Sequence, residues 1–412
     1  MLTTFSIGNN VLIYEGIPDK KIFAFGITFP AGSSKESVKY PIGTAHFLEH
    51  MMFKGFKGTG PLKLTRKLEA LGIEINAFTT KDLTHYYIRG LEKNFLKAAN
   101  LFVKTIFQPA LSNKDIEKEK LIIGEEILSY EDDFEELVFE EADKLLFEGT
   151  TYMHPITGTL SSIKNISRHN LIHFHDIHYL GGPTVFSYSG KEGYSKRLLN
   201  IIRQSAGNES SIDQSGLTSN YGLIVPDAKL SNRVKQIDGT TSHLLWSFPL
   251  GRIGFESRIR LSLLNYILGE GNSSKLFWRL REKLGLTYHV YSTINVYGHH
   301  AVLQIYLTLN PNKVRKATTE LNKLIEQLAT HITDKELTNA QTQIETQLVM
   351  ESEDITNRMQ ANSKDWLIYG RIVDISEVSQ IITNTNVDHI VNLAQQISLD
   401  NAIKVIYEGK SK

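Results

Sequence analysis

Gly43-Thr44-Ala45-His46-Phe47-Leu48-Glu49-His50-Met51-Met52-Phe53-Lys54-Gly55 is the stretch on which the reading of this 412-residue chain turns. Within it, His46, Glu49 and His50 stand at i, i+3 and i+4. Side chains four apart on a helix lie one above the other. A helical turn here lets His46 and His50 offer ring nitrogens to one ion, with the Glu49 carboxylate at the edge of the same face. Zinc suits such a site because it accepts imidazole and carboxylate tetrahedrally and keeps one position open for water. It lowers the pKa of that water and polarises a carbonyl, while a neighbouring carboxylate takes the proton. This order of residues is an inverted zinc-peptidase signature that needs context to carry weight. The plain alternative is two surface histidines that happen to be four apart.

A third protein ligand is required, and the run from Ser112 to Ile127 offers one. Ser112 or Asn113 is a good N-cap, and acids fill the first turns, so a helix starts here. Glu119 and Glu126 are seven apart and share a face, with Ile122 and Ile123 between them giving it apolar character. An acid on a buried face needs a partner, and a metal ion is one. Spacing alone leaves Glu126 equally a solvated helix position; Glu125 reads as solvated.

The chain resembles the peptidase family that contains pitrilysin, insulin-degrading enzyme and the mitochondrial processing peptidase. The stretch from Gly43 to Gly55 is similar to that family's most typical segment almost residue for residue, and Glu126 stands 76 positions after His50, the family's spacing to its glutamate ligand. The resemblance implies that His46, His50 and Glu126 bind one Zn2+ per chain, that Glu49 is the general base and that Glu119 supports a ligating histidine. It also implies the fold: an α+β chain of two similar domains, each with helices packed on a mixed β-sheet, joined by a linker.

Working outward, Leu62 to Ala70 reads as a helix that Gly72 stops. Ile73, Ile75 and Ala77 then alternate with Glu74 and Asn76 as a strand. In the family this is an edge strand beside the metal that pairs with an extended substrate, recognition by strand addition; the resemblance therefore places Asn76 and Ala77 at the substrate. By spacing alone Asn76 reads as a turn-capping group. The family often has two adjacent glycines where this chain has Gly72-Ile73.

A second informative stretch runs from Leu268 to Val290. Read from its residues it is a glycine-broken loop, a basic helix ended by Gly285 and a strand beginning near Leu286. Its glycines do not fit a P-loop, since no GK[ST] follows at the right offset, so nucleotide binding is rejected. By residue type, Arg281 is one of several solvated charges and Tyr288 ordinary strand packing. The segment resembles the signature of the family's noncatalytic half, where an arginine and a tyrosine seven residues apart reach the zinc site. The resemblance gives Arg281 the substrate backbone and Tyr288 the oxyanion, donors aimed at developing charge.

Composition excludes several classes. Lys plus Arg and Asp plus Glu are both 45, so no net charge draws the chain to nucleic acid or a membrane surface. No run of eighteen apolar residues predicts a membrane span, and the first residues show neither a secretion signal nor a transit peptide. With no cysteine, disulfides and thiolate sites are excluded, and a cytoplasmic location is expected. His173, His175 and His178 are read as amphipathic-helix and surface positions, because residues two apart do not share a helical face. Domains are expected at 1–205 (the zinc half) and 223–412 (without the zinc motif, carrying Arg281 and Tyr288), with a polar linker at 206–222. The expected activity is zinc-dependent cleavage of short or unfolded peptides by a homodimer closing as a clam-shell, with a heterodimer as the other assembly. The alternatives are a noncatalytic partner subunit, a maturation protease for one peptide, and zinc storage or sensing.

Overall fold

The computed structural model describes residues 1–36, 38–206 and 232–410. Ala206 closes the helix Ser195–Ala206, and the rest of the expected linker lies outside the described residues. Two compact units form, each α+β on a mixed sheet, as expected. They are not the contiguous domains 1–205 and 223–412, however. The first unit takes Met1–Ser129, the segment 154–206 and also Glu351–Ile372 from the far end of the chain; the second takes Tyr130–Met153 from the first half.

In the first unit six strands run in the order β1-β2-β6-β3-β5-β4. They are β1 (Leu2–Ile7), β2 (Asn10–Ile17), β3 (Ile22–Phe29), β4 (Glu74–Thr79), β5 (Thr84–Leu91) and β6 (Val185–Lys191). Only β2 and β6 pair in parallel; the other pairs are antiparallel. Alternate side chains of a strand face opposite sides of its sheet. Phe23, Phe25, Ile27 and Phe29 of β3 and Leu12 and Tyr14 of β2 enter one core with Phe95, Phe102 and Ile106 of the helix Phe95–Phe107. The intervening residues, Val11 and Ile13 of β2, Ala24 of β3 and Val185 of β6, face the other side and pack on Ile355, Met359 and Leu367 of the helix Ile355–Tyr369. Covered on both faces, these strands read as continuous apolar runs rather than alternations. Gly26 lets that helix come close: a Cβ there would stand 2.4 Å from the Met359 sulfur.

The second unit repeats the arrangement. Its strands are β7 (Asn232–Gln236), β8 (Ser242–Arg252), β9 (Thr287–Tyr297), β10 (His300–Leu309) and β11 (Ile403–Glu408), ordered β7-β11-β8-β10-β9. Leu244, Trp246 and Phe248 face one core. Leu245 faces another with Val138, Ala142 and Leu146 of the helix Phe134–Leu146. Each sheet therefore has its second face covered by a helix from the other half of the chain. Asp133 and Asp354 cap those two helices through backbone N–H groups.

Candidate metal centre

The helix Thr44–Met52 forms because its glycine entry is anchored rather than merely capped. Gly43 sits at φ +92°, and a Cβ there would lie 2.7 Å from the Thr157 carbonyl, so only glycine fits. Oε2 of Glu36 accepts from Gly43 N at 2.8 Å and Oε1 from Ala45 N at 2.7 Å. A buried carboxyl group thus meets the donor end of the helix. Burial pushes the Glu36 carboxyl up to about 8, against the pull of those two donors. Phe47, Leu48, Met51 and Met52 are fully buried in the core, which turns His46, Glu49 and His50 the other way.

The helix Asn113–Glu131 brings the acids. Ser112 accepts from Asp115 N at 3.1 Å and is its cap. Nε2 of His46 lies 3.7 Å from Oε1 of Glu126, and Nε2 of His50 lies 3.6 Å from Oε2 of the same carboxylate. The ligand atoms of His46, His50 and Glu126 all fall within 4.8 Å of one another, the one such group among the described residues. These separations are too long for hydrogen bonds. They are close to the roughly 3.3 Å between ligands that bonds of about 2.0 Å give on a tetrahedral ion. Two nitrogens and one carboxylate are a zinc donor set with an open position, so the residues fit the ion.

Of the two histidines, His50 has a side-chain partner, whereas Nδ1 of His46 is buried without a hydrogen bond among the described residues. Nδ1 of His50 meets Oε1 of Glu119 at 2.9 Å, and the Lys54 ammonium forms an ion pair with Oε2 of Glu119 at 2.6 Å. Burial raises Glu119, but the bonds from His50 and Lys54 outweigh it and hold the carboxyl below its ordinary value. Burial opposes charge on His50 too, yet Glu119 and Glu126 draw its pKa up. His46 is pushed down to about 3 by burial and by the His50 charge, so it is a neutral imidazole ready to ligate. Burial raises the Glu49 carboxyl, against the pull of the Thr79 hydrogen bond and the His50 charge.

The structure places the other expected residues as follows. β4 is an edge strand, and it lies against the helix Thr44–Met52. Asn76 does not cap a turn; its Oδ1 accepts from Ala77 N at 2.8 Å, covering an edge donor. Arg281 lies in a π-helical turn, Phe277–Lys283, not a regular helix. Its guanidinium sits 4.8 Å from the Phe277 ring and 4.7 Å from the Tyr288 ring, so the two residues meet. Tyr288 is 80% exposed and is not packed into its strand. Ile123 is buried beside Glu119 as expected, whereas Ile122 is exposed. His175 is a buried group bonded to the Ile106 carbonyl, not a surface position, and His173 meets Tyr40. Sequence reasoning missed Glu36, Lys54 and Thr79. Lys54, four after His50, and Thr79, two after Ala77 on the same strand face, carry a spacing signal. Glu36 carries none.

Comparison with known proteins bears on the family and the fold. The family description "Insulinase (Peptidase family M16)" matches residues 11–160, and "Peptidase M16 inactive domain" matches residues 165–344. A Rickettsia felis protein named "Uncharacterized zinc protease" is 28% identical over 396 residues, 95% of this chain and 93% of that protein. A Bacillus subtilis "Uncharacterized zinc protease YmxG" is 27% identical over 399 residues, 96% of each. In fold, the chain is similar to a Pseudomonas fluorescens structure described as a peptidase M16 inactive domain (TM-score 0.86, 19% identity, 100% and 98% covered). It is equally similar to a Helicobacter pylori protease structure (TM-score 0.86, 18% identity, 99% of each covered).

Proposed function

The chain belongs to peptidase family M16, the pitrilysin and insulinase family, and from that premise we propose that it is a zinc-dependent endopeptidase of short or unfolded peptides. The observation that carries the reading is the meeting of His46, His50 and Glu126 with Glu49 one helical turn from His46. Zinc, when bound, supplies Lewis acidity toward a peptide carbonyl and lowers the pKa of water. His46, His50 and Glu126 would hold it, with Glu119 and Lys54 fixing the His50 ring. Glu49 takes the proton of the attacking water and returns it to the leaving amine. The peptide lies extended along the free edge of β4, where the Ala77 N–H is offered once Asn76 turns aside. By the family resemblance, Arg281 would donate to a substrate backbone and Tyr288 to the oxyanion, whether at the zinc site of the same chain or of a partner chain. Zinc storage is disfavoured because a two-histidine, one-acid set leaves an open position better suited to catalysis. A homodimer in the cytoplasm accompanies this reading.

The test is digestion of a mixed pool of unstructured peptides, about ten to forty residues long, by the zinc-loaded protein beside its Glu49→Gln variant, with ends read by mass spectrometry. Extended recognition along a strand edge predicts cleavage at many sequences. Cleavage by the wild type alone supports the reading. No cleavage by either, with zinc bound, overturns it in favour of a partner-dependent subunit or a single dedicated substrate.

A further inference from the structure

Thr79 closes β4, two residues beyond Ala77 on the same face of the strand. Its hydroxyl donates to Oε2 of Glu49 at 2.5 Å. The direction of that bond is fixed by the neighbours. Thr79 pairs across the sheet with Thr84, whose own hydroxyl donates to the Ala31 carbonyl at 2.8 Å. The oxygens of Thr79 and Thr84 stand 3.5 Å apart, at the outer limit of a hydrogen bond. A hydroxyl has one proton and an ionised carboxylate only accepts, so the Thr79 proton goes to Glu49. Glu49 is 9% exposed, and the Thr79 bond is the one hydrogen bond found for its carboxylate among the described residues.

We propose that Thr79 is a positioning residue for the general base: it engages Oε2 of Glu49, leaves Oε1 as the oxygen that takes the proton, and ties the aim of the base to the strand that seats the peptide. The inference rests on the peptidase reading above. A peptide added to the β4 edge and the carboxylate that serves it are then held by one short strand, with Asn76 and Ala77 at one point and Thr79 at another. Any shift of β4 that misplaces the substrate also misplaces Oε1. A positioned base needs this kind of support, because small errors in aim cost large factors in rate.

The experiment compares wild type, Thr79→Ser and Thr79→Val on a fluorogenic unstructured peptide, measuring kcat and KM separately, with zinc content measured on each protein. Valine keeps the shape and removes the donor; serine keeps the donor. Thr79→Val is expected to lower kcat by about tenfold to a hundredfold with KM and zinc content little changed, and Thr79→Ser to stay near wild type. Crystal structures of the zinc-loaded wild type and Thr79→Val give a readout independent of turnover. Departure of the Glu49 carboxylate from its orientation supports the proposal; an unmoved carboxylate overturns it. With an active wild type, an unchanged kcat in Thr79→Val, or an equal loss in Thr79→Ser, overturns the Thr79 role alone. A wild type that cleaves nothing overturns the peptidase reading and, with it, this inference.

Discussion

At the scale of single residues, the site is a set of charges that hold each other in place. Glu49→Gln keeps the shape and removes the base, so turnover is expected to fall by about 10²–10⁴ with zinc retained; retained turnover with zinc bound removes Glu49 from that role. Glu126→Gln takes an anionic ligand away and should weaken zinc binding by more than the roughly tenfold to hundredfold that an outer partner costs. Equilibrium dialysis against a zinc indicator checks this, and unchanged affinity would take Glu126 out of the ligand set. Lys54 touches no ligand, yet it neutralises a Glu119 carboxylate whose side chain is 3% exposed. Lys54→Met should therefore cost about tenfold in zinc affinity by releasing the His50 ring. Glu36 has a pH signature of its own. Its folded pKa, about 8, lies above the ordinary 4.5. The stability it contributes is whole below the ordinary value and is lost as pH rises through about 8. Melting temperature should fall between about pH 5 and about pH 9 in the wild type and fall less in Glu36→Gln.

At the scale of elements, most of what the sequence offered was legible because the signal was local. The helix at Thr44–Met52, the cap at Ser112 and the strand Glu74–Thr79 follow from spacing, capping chemistry and alternation. The π-helical turn that carries Arg281 was not legible, since a π turn and a regular helix share one residue pattern. Nor was the contact that anchors the helix Ile355–Tyr369 to its sheet. Arg358 donates through Nε to both oxygens of Glu15 at 3.0 Å, and Ser189 donates to the same carboxylate at 2.7 Å. Glu15 is buried and Arg358 partly exposed. Arg358→Met leaves that buried carboxylate with the Ser189 hydroxyl but without its cationic partner, and should cost about 1–3 kcal/mol in denaturant unfolding. A loss below about 0.5 kcal/mol, the level of an ordinary surface change, would show that the pair does not anchor the helix.

At the scale of the molecule, the chain is two α+β units, and each borrows a helix from the other half. A fragment of residues 1–206 would lack Ile355–Tyr369, leaving Val11, Ile13, Ala24 and Val185 without their covering helix. It should be insoluble or loosely packed, and a soluble fragment with cooperative unfolding would refute the dependence.

The sequence by itself brought out the general fold and the cluster of His46, His50 and Glu126 that could hold a metal ion, with Glu49 beside it. Those depend on residues close along one helix, or on a spacing so specific that family resemblance could supply what geometry could not. Only the tertiary structure decided which helix covers which sheet, that Arg281 meets Tyr288, and that Glu36, Lys54 and Thr79 stand behind the site. The physical reason is range. Periodicity and capping act within a few residues. The partner of a buried charge, or the cover of an apolar sheet face, is chosen by packing among segments hundreds of residues apart, and an amphipathic helix does not say in its own sequence which apolar face it will meet.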